Sequence, residues 1–225
     1  MNTRYYISSK EIESQVKEVG CEMMTTVDLL GFALYPRKTF FVRQRLAKKL
    51  LSKTQNDLSY FFSTNSAEFQ KNTGLDNSIY FSFRAVRELL ERALCQELTE
   101  REALSSSEKT RRLLSSKLRF YKVEVFVCLY LNSQYQLLEF EQHAKGTVHG
   151  TFVHPREIVK RALELGSSAV IIAHNHPSGE VEPSKADITI TKQIHEALKL
   201  VEITLLDHML IGGNKVVSFA EQNLF

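Results

Sequence analysis

Apolar residues recur at helical spacing through the first part of the chain. Phe41, Val42, Leu46, Leu50 and Leu51 fall on one side of a helix predicted over residues 38–53. Residues 79–96 repeat the pattern with Ile79, Phe83, Val86, Leu89, Leu90 and Leu94, while Arg84, Arg87, Glu88, Glu91 and Arg92 fill the opposite face. Between them lies a turn cluster, Asn72-Thr73-Gly74-Leu75-Asp76-Asn77. No proline interrupts the stretch from Arg37 to Val153, so residues 22–98 read as a small all-helical unit. The charged, serine-rich stretch from Glu97 to Ser107 reads as a linker, and Ser105 with Glu108 has capping-box spacing for a short helix.

From residue 121 the period changes to two. Val123, Val125, Val127 and Leu129 alternate with Glu124, Phe126, Cys128 and Tyr130. A turn at Asn132-Ser133 leads to a returning strand over residues 135–140. Pro155 opens a helix that runs to about Leu165, where Gly166 ends it. The unbroken apolar run from Ser168 to Ala173 marks a strand buried on both faces. A helix from Ser184 to about Lys199 follows, then short strands near 202–206, 208–212 and 215–219. Strands and helices interleave, so residues 103–225 are expected to form an α/β (α+β) domain with a mixed sheet flanked by helices. Residues 1–102 are expected to form the helical domain and linker that precede it.

At 43% apolar and 24% charged residues, the chain has the composition of an ordinary globular protein with a core to bury. The net charge of +3 is mild, but it is uneven: residues 36–53 hold seven basic side chains (Arg37, Lys38, Arg43, Arg45, Lys48, Lys49, Lys53) and no acidic ones. A solvated helix face is the simpler reading of this run, and a weak DNA-phosphate contact the sharper one. Cys21, Cys95 and Cys128 are widely spaced, form no Cys-x-x-Cys pair, and suit a reducing compartment. The polar stretch 1–13 lacks the apolar segment of a secretory signal, and no apolar run reaches spanning length. The expectation is therefore a cytoplasmic protein without a membrane partner.

The chemistry concentrates between residues 174 and 187. His174 and His176 stand two apart where a buried strand runs out, so both imidazoles point to one side, and Pro177 then turns the chain. Asp187 falls in the first turn of the next helix, which can fold its carboxylate back over the strand end. Two imidazoles and a carboxylate make a three-ligand site with one open position, the arrangement of catalytic zinc. Core histidines satisfied by backbone groups, with a plain Ser184/Asp187 capping pair, are the duller alternative.

The spacing His174-x-His176, seven residues, Ser184, two residues, Asp187 resembles the JAMM signature of MPN-plus metalloproteases. The wording around it resembles the bacterial RadC-like branch: Gly146-Thr147, Val153-His154-Pro155-Arg156-Glu157, His174-Asn175-His176-Pro177-Ser178-Gly179, Pro183-Ser184-Lys185-Ala186-Asp187 and Leu206-Asp207-His208. The resemblance covers residues 103–225 strongly and 22–98 faintly. It implies an MPN/JAB-type fold and a zinc metallopeptidase or isopeptidase acting on a peptide or protein substrate. One Zn2+ per chain would be held by His174, His176 and Asp187. Ser184 would donate to an oxyanion, and an upstream Glu would move protons as general base and acid. Glu141 is the choice for that Glu by its position before Gly146-Thr147, with Glu139 and Glu157 as alternatives. Asp207 and His208 read either as a pair orienting a ligand or as a polar pair at a strand junction. The faint part resembles a helix-hairpin-helix unit, but Asp76 stands where its Gly-hydrophobic-Gly turn has the second glycine. An acid there suits a helix cap and repels a phosphate. Two other functions stay in view: a DNA-binding protein linked to repair, and a zinc-stabilised scaffold without turnover.

Overall fold

The computed structural model describes residues 20–35, 38–100, 107–146 and 153–225, with Ser14 and Lys17, and only the backbone of 97–100 and Ser107. Arg37, residues 101–106 of the expected linker with Ser105, Thr147 and His149 lie outside the described residues. Two units are distinguished, Met1–Ala85 and Val86–Phe225.

In the first unit, side chains at the helix starts satisfy backbone donors that helix geometry leaves unpaired. Thr25 accepts from the Asp28 N–H ahead of α1 (Thr26–Leu34), and Asn65 from the Glu68 N–H ahead of α4 (Ser66–Thr73). Between them lie α2 (Phe40–Lys53) and the single turn α3 (Tyr60–Ser63). Gly74, at φ 69°, closes α4 in the left-handed conformation that glycine adopts without strain. Asp76 then accepts from the Ser78 N–H at 2.7 Å and starts α5 (Asn77–Glu100), the capping use that its carboxylate suggested. Leu30, Ala47, Leu50, Leu51, Phe61 and Phe69 form the core, with Ile79, Tyr80 and Phe83 against it.

The buried stripe of α2 is not the expected one. Arg43, Ala47, Leu50 and Leu51 face inward, and Phe41 is exposed. The i, i+4, i+7, i+8 spacing is kept, but small Ala47 lets the helix sit close, and Arg43 donates its Nε–H to the Lys38 carbonyl at 2.5 Å.

Helix α5 also departs from its pattern. Its first turns serve the first unit's core, while Leu94 and Cys95 pack in the second unit. Val86, Leu89 and Leu90 are exposed. Arg87 and Glu91, expected on the solvent face, form an ion pair at 2.6 Å in which Glu91 is buried and Arg87 part-buried, with Lys117 reaching the same carboxylate at 3.3 Å. The helix runs through Glu100, into the stretch expected to be linker, and the division between units at Ala85/Val86 falls inside it.

The second unit is a five-stranded mixed sheet in the order β2-β1-β3-β4-β5. The strands are β1 (Val125–Leu131), β2 (Leu137–Lys145), β3 (Ala169–Asn175), β4 (Thr204–Gly212) and β5 (Lys215–Ser218). Only β3 and β4 are parallel. Helix α6 (Ser107–Leu118) covers one face with Leu113, Leu114 and Leu118. Helices α7 (Pro155–Glu164) and α8 (Lys185–Lys199) cover the other with Ile158, Ala162, Ile194 and Leu198. The central strands β1 and β3 are buried along their whole length, as an unbroken apolar run requires of β3.

The strands expected near 202–206 and 208–212 are one strand, β4. The apparent junction is a β-bulge: Val170 pairs with Leu205, but Ile171 pairs with Asp207, so Leu206 is the extra residue. No helix among the described residues is long and apolar enough to cross a membrane.

Replacing Glu91 by Ala leaves the part-buried Arg87 and Lys117 without their shared carboxylate and is expected to cost about 2 kcal/mol. Val86→Ser, at an exposed position, should change stability by less than about 0.5 kcal/mol. Urea unfolding of both variants measures the contrast, and equal effects would refute the buried-pair assignment.

Candidate metal centre

The carboxyl end of β3 and the amino end of α8 meet through a parallel crossover, β3–α8–β4, and the two histidines lie at that meeting point. Asn175, between them, faces the opposite side of the sheet. Its Oδ1 accepts from the Val125 N–H at 2.8 Å, and its Nδ2 donates to the Val123 carbonyl at 3.1 Å. This buried amide stitches the end of β3 to the start of β1. The His176 N–H donates to the Ile211 carbonyl at 2.8 Å and extends the ladder with β4 by one residue. Strand alternation thus persists through residue 176 and turns both rings the same way.

Asp187 is brought in by its helix. Along α8 the buried positions are 187, 191, 194 and 198, a single stripe that is polar at its first two residues and apolar at its last two. Ser184 caps the helix and Asp187 closes the capping box: Oδ2 accepts from the Ser184 N–H at 2.8 Å and from its hydroxyl at 2.6 Å. Oδ1 faces His174 Nε2 at 3.3 Å, and Oδ2 lies 3.6 Å from His176 Nε2. The two Nε2 atoms are 3.2 Å apart. A tetrahedral ion about 2.05 Å from each ligand separates those ligands by about 3.3 Å, so the residues fit a zinc ion. Burial by itself would raise the Asp187 carboxyl, but the His174 ring and the Ser184 hydroxyl and N–H outweigh it and hold the group below the usual carboxylate range.

Behind the ligands runs a buried polar line. His174 Nδ1 is 2.8 Å from His208 Nε2, His208 Nδ1 is 2.5 Å from Thr191 Oγ1, and Thr191 donates to the Asp187 carbonyl at 2.5 Å. Burial, aided by the neighbouring His174, pushes His208 well below the ordinary imidazole pKa. Asp207 does not pair with it. It lies toward the opposite side and accepts from the Ser218 hydroxyl at 2.6 Å and the Ala220 N–H at 3.0 Å. Thr191 went unremarked in the sequence, although its place four residues after Asp187 puts it on the same helix face. Asn175 was likewise visible only as the spacer between two ligands.

Glu141 is not among the residues gathered here. It pairs across the sheet with Cys128, level with Ile172, whereas His174 is level with Phe126 and Ala144. It therefore shares the sheet face of His174, but on β2, beyond β1, and its carboxylate is bound to Arg161 of α7 at 2.7 Å. Glu139 pairs across from Tyr130 on the same face, and Glu157 is paired with Arg156 at 3.0 Å. His143, the extra residue at an irregularity in β2, meets the buried Tyr130 hydroxyl at 2.6 Å.

A model of the RadC-like JAB domain matches residues 104–224. A UPF0758 protein of Thioalkalivibrio sulfidiphilus is 42% identical over 205 residues, 91% of each chain. One of Vibrio atlanticus is 38% identical over 96% of this chain and 98% of its own, and one of Marinomonas sp. is 36% identical over the whole of both.

The loop from Pro177 to Pro183 returns across Gly212, where a Cβ would stand 2.6 Å from the Glu180 carbonyl oxygen and 2.7 Å from that of Gly179. Gly212→Ala must displace this loop, which joins the histidines to Asp187. It is expected to weaken Zn2+ or Co2+ binding about tenfold, read by competition with a chromophoric chelator. Unchanged affinity would show that the loop does not set the ligand spacing.

Proposed function

This chain belongs to the RadC-like JAB domain family, and on that footing we propose that it is a zinc-dependent hydrolase of the JAMM type, acting on a peptide or isopeptide bond. The observation that carries the reading is the trio His174, His176 and Asp187, whose ring nitrogens stand 3.2 Å apart with the Asp187 oxygens 3.3 and 3.6 Å from them, close to the edges of a zinc tetrahedron. When bound, zinc supplies Lewis acidity, lowering the pKa of water to about 7 and polarising a carbonyl oxygen.

The chain's own groups do the rest. His174 comes from a fully buried strand and Asp187 from the first turn of a capped helix, so the scaffold sets the ligand geometry in advance. Ser184 is assigned as the hydrogen-bond donor to the oxygen that gathers charge as the carbonyl is attacked. Its support is its place beside Asp187, to which its hydroxyl now donates. Glu141 is assigned as the proton carrier. In its favour are its sheet face and a part-exposed carboxylate. Its pairing with part-exposed Arg161 contributes about 1 kcal/mol or less, so the carboxylate can exchange partners. The three free cysteines suit a reducing compartment such as the cytoplasm.

A second reading, contact with DNA, is favoured by exposed Arg45, Lys48 and Lys49 along α2 and Lys38 just ahead of it; Arg43 is turned inward. Charge reversal at Arg45, Lys48 and Lys49 should abolish any salt-dependent binding of duplex DNA.

Elemental analysis of the purified protein is expected to find about one zinc per chain. His176→Ala and Asp187→Ala should lose it. Glu141→Gln should keep the metal and cleave peptide and isopeptide reporters at least about a hundredfold more slowly. A wild-type protein without zinc sinks the metal reading. Full turnover in Glu141→Gln moves the proton carrier to Glu139 or Glu157.

A further inference from the structure

An imidazole can offer a cation only the nitrogen that lacks a proton, so a histidine ligand works in one of its two neutral tautomers. We propose that Thr191 and His208 are positioning residues that hold His174 in the tautomer whose Nε2 faces the metal site, a reading that rests on the metal centre proposed above.

The argument runs from the one group whose polarity is fixed. The Asp187 carbonyl can only accept, and Thr191 Oγ1 lies 2.5 Å from it, so the hydroxyl proton points there. Threonine in a helix commonly makes this bond to the carbonyl four residues back. Thr191 Oγ1 is then left as an acceptor at 2.5 Å from His208, whose Nδ1 must carry a proton.

His208 is fully buried, with ring centroids 5.7 Å from Phe126 and 4.3 Å from Phe219. Among the described residues its two nitrogens meet only Thr191 and His174. A charged ring enclosed by aromatic side chains, with no carboxylate bonded to either nitrogen, is strongly disfavoured, so His208 is neutral and its Nε2 accepts. His174 Nδ1, 2.8 Å away, is therefore the donor. Nε2, the atom nearest His176 and Asp187, is then the one nitrogen of His174 left to bind a metal. Because the line begins at the Asp187 backbone, one ligand residue fixes the protonation pattern of another.

Strand alternation alone would not deliver this. Leu205 faces the α7/α8 side of the sheet, so without the extra residue at Leu206 it is Asp207 that would share that side, and His208 would face α6. The bulge turns His208 toward His174 and Asp207 toward Ser218.

The test combines a spectrum with a binding series on the full chain. In zinc-free wild-type protein labelled with 15N-histidine, long-range 1H–15N correlation should show His174 and His208 both protonated at Nδ1, with His208 bare at Nε2. His208→Leu removes the acceptor while keeping bulk, and Thr191→Val removes the hydroxyl. Each should weaken Co2+ binding roughly ten- to a hundredfold and alter the visible Co2+ spectrum. His208→Gln, whose Oε1 can stand for Nε2, and Thr191→Ser should restore affinity to within about threefold of wild type. Thr191→Val, a near-isosteric change, decides the matter if His208→Leu fails to fold. A His174 without a proton on Nδ1 in the zinc-free spectrum overturns the proposal whether or not metal binds, as do His208→Leu and Thr191→Val with wild-type Co2+ affinity. Wild-type protein that shows the stated tautomers yet binds neither Zn2+ nor Co2+ overturns the metal centre and leaves the relay standing.

Discussion

The carboxylate of Asp187 divides its oxygens between two tasks. Oδ2 closes the capping box that starts α8, and Oδ1 faces the first histidine. A helix start offers unpaired N–H donors and a partial positive charge, and an acid in the first turn answers both. The same acid can therefore be anchored by local backbone chemistry and still present an oxygen outward. The position of α8 against the end of β3, and with it the spacing of the His174, His176 and Asp187 trio, depends on this shared anchor.

The sheet face beneath α7 and α8 is apolar over most of its area, with Phe126, Cys128, Val170, Ile172 and Leu205 against Ile158, Ala162, Ile194 and Leu198. A buried line of polar groups runs through it, from His174 through His208 and Thr191 to the Asp187 carbonyl. In such surroundings an unpaired polar atom costs more than its hydrogen bond returns, so the line is stable because every member has a partner. The apolar enclosure also keeps water from competing for those bonds. A rigid, dry backing of this kind holds the His174 ring in one orientation.

The long helix α5 belongs to two environments. Near its start it lends Ile79, Tyr80 and Phe83 to the first unit's core, and later it buries Glu91 against part-buried Arg87 and Lys117 in the second. A helix that changes partners along its length cannot keep one apolar face inward, so Val86, Leu89 and Leu90 remain exposed.

By itself the sequence determined the element types and the three convergent residues. Alternation, capping residues and apolar runs are local signals, and the His-x-His pair followed by an acid at a helix start can be read within one stretch of fourteen residues, 174–187. The tertiary structure decided what depends on distant partners. A bulge at Leu206 looks like a strand break in one dimension, and only pairing with β3 shows that it turns His208 inward. Thr191 becomes part of the site because α8 packs over β4, and Glu141 is tied to Arg161 because α7 covers the same face as β2's inward side chains. Arg87 and Glu91 look solvent-facing until Lys117 meets them. Local chemistry is written in neighbouring residues, but burial and side-chain partnership are settled only when remote segments meet.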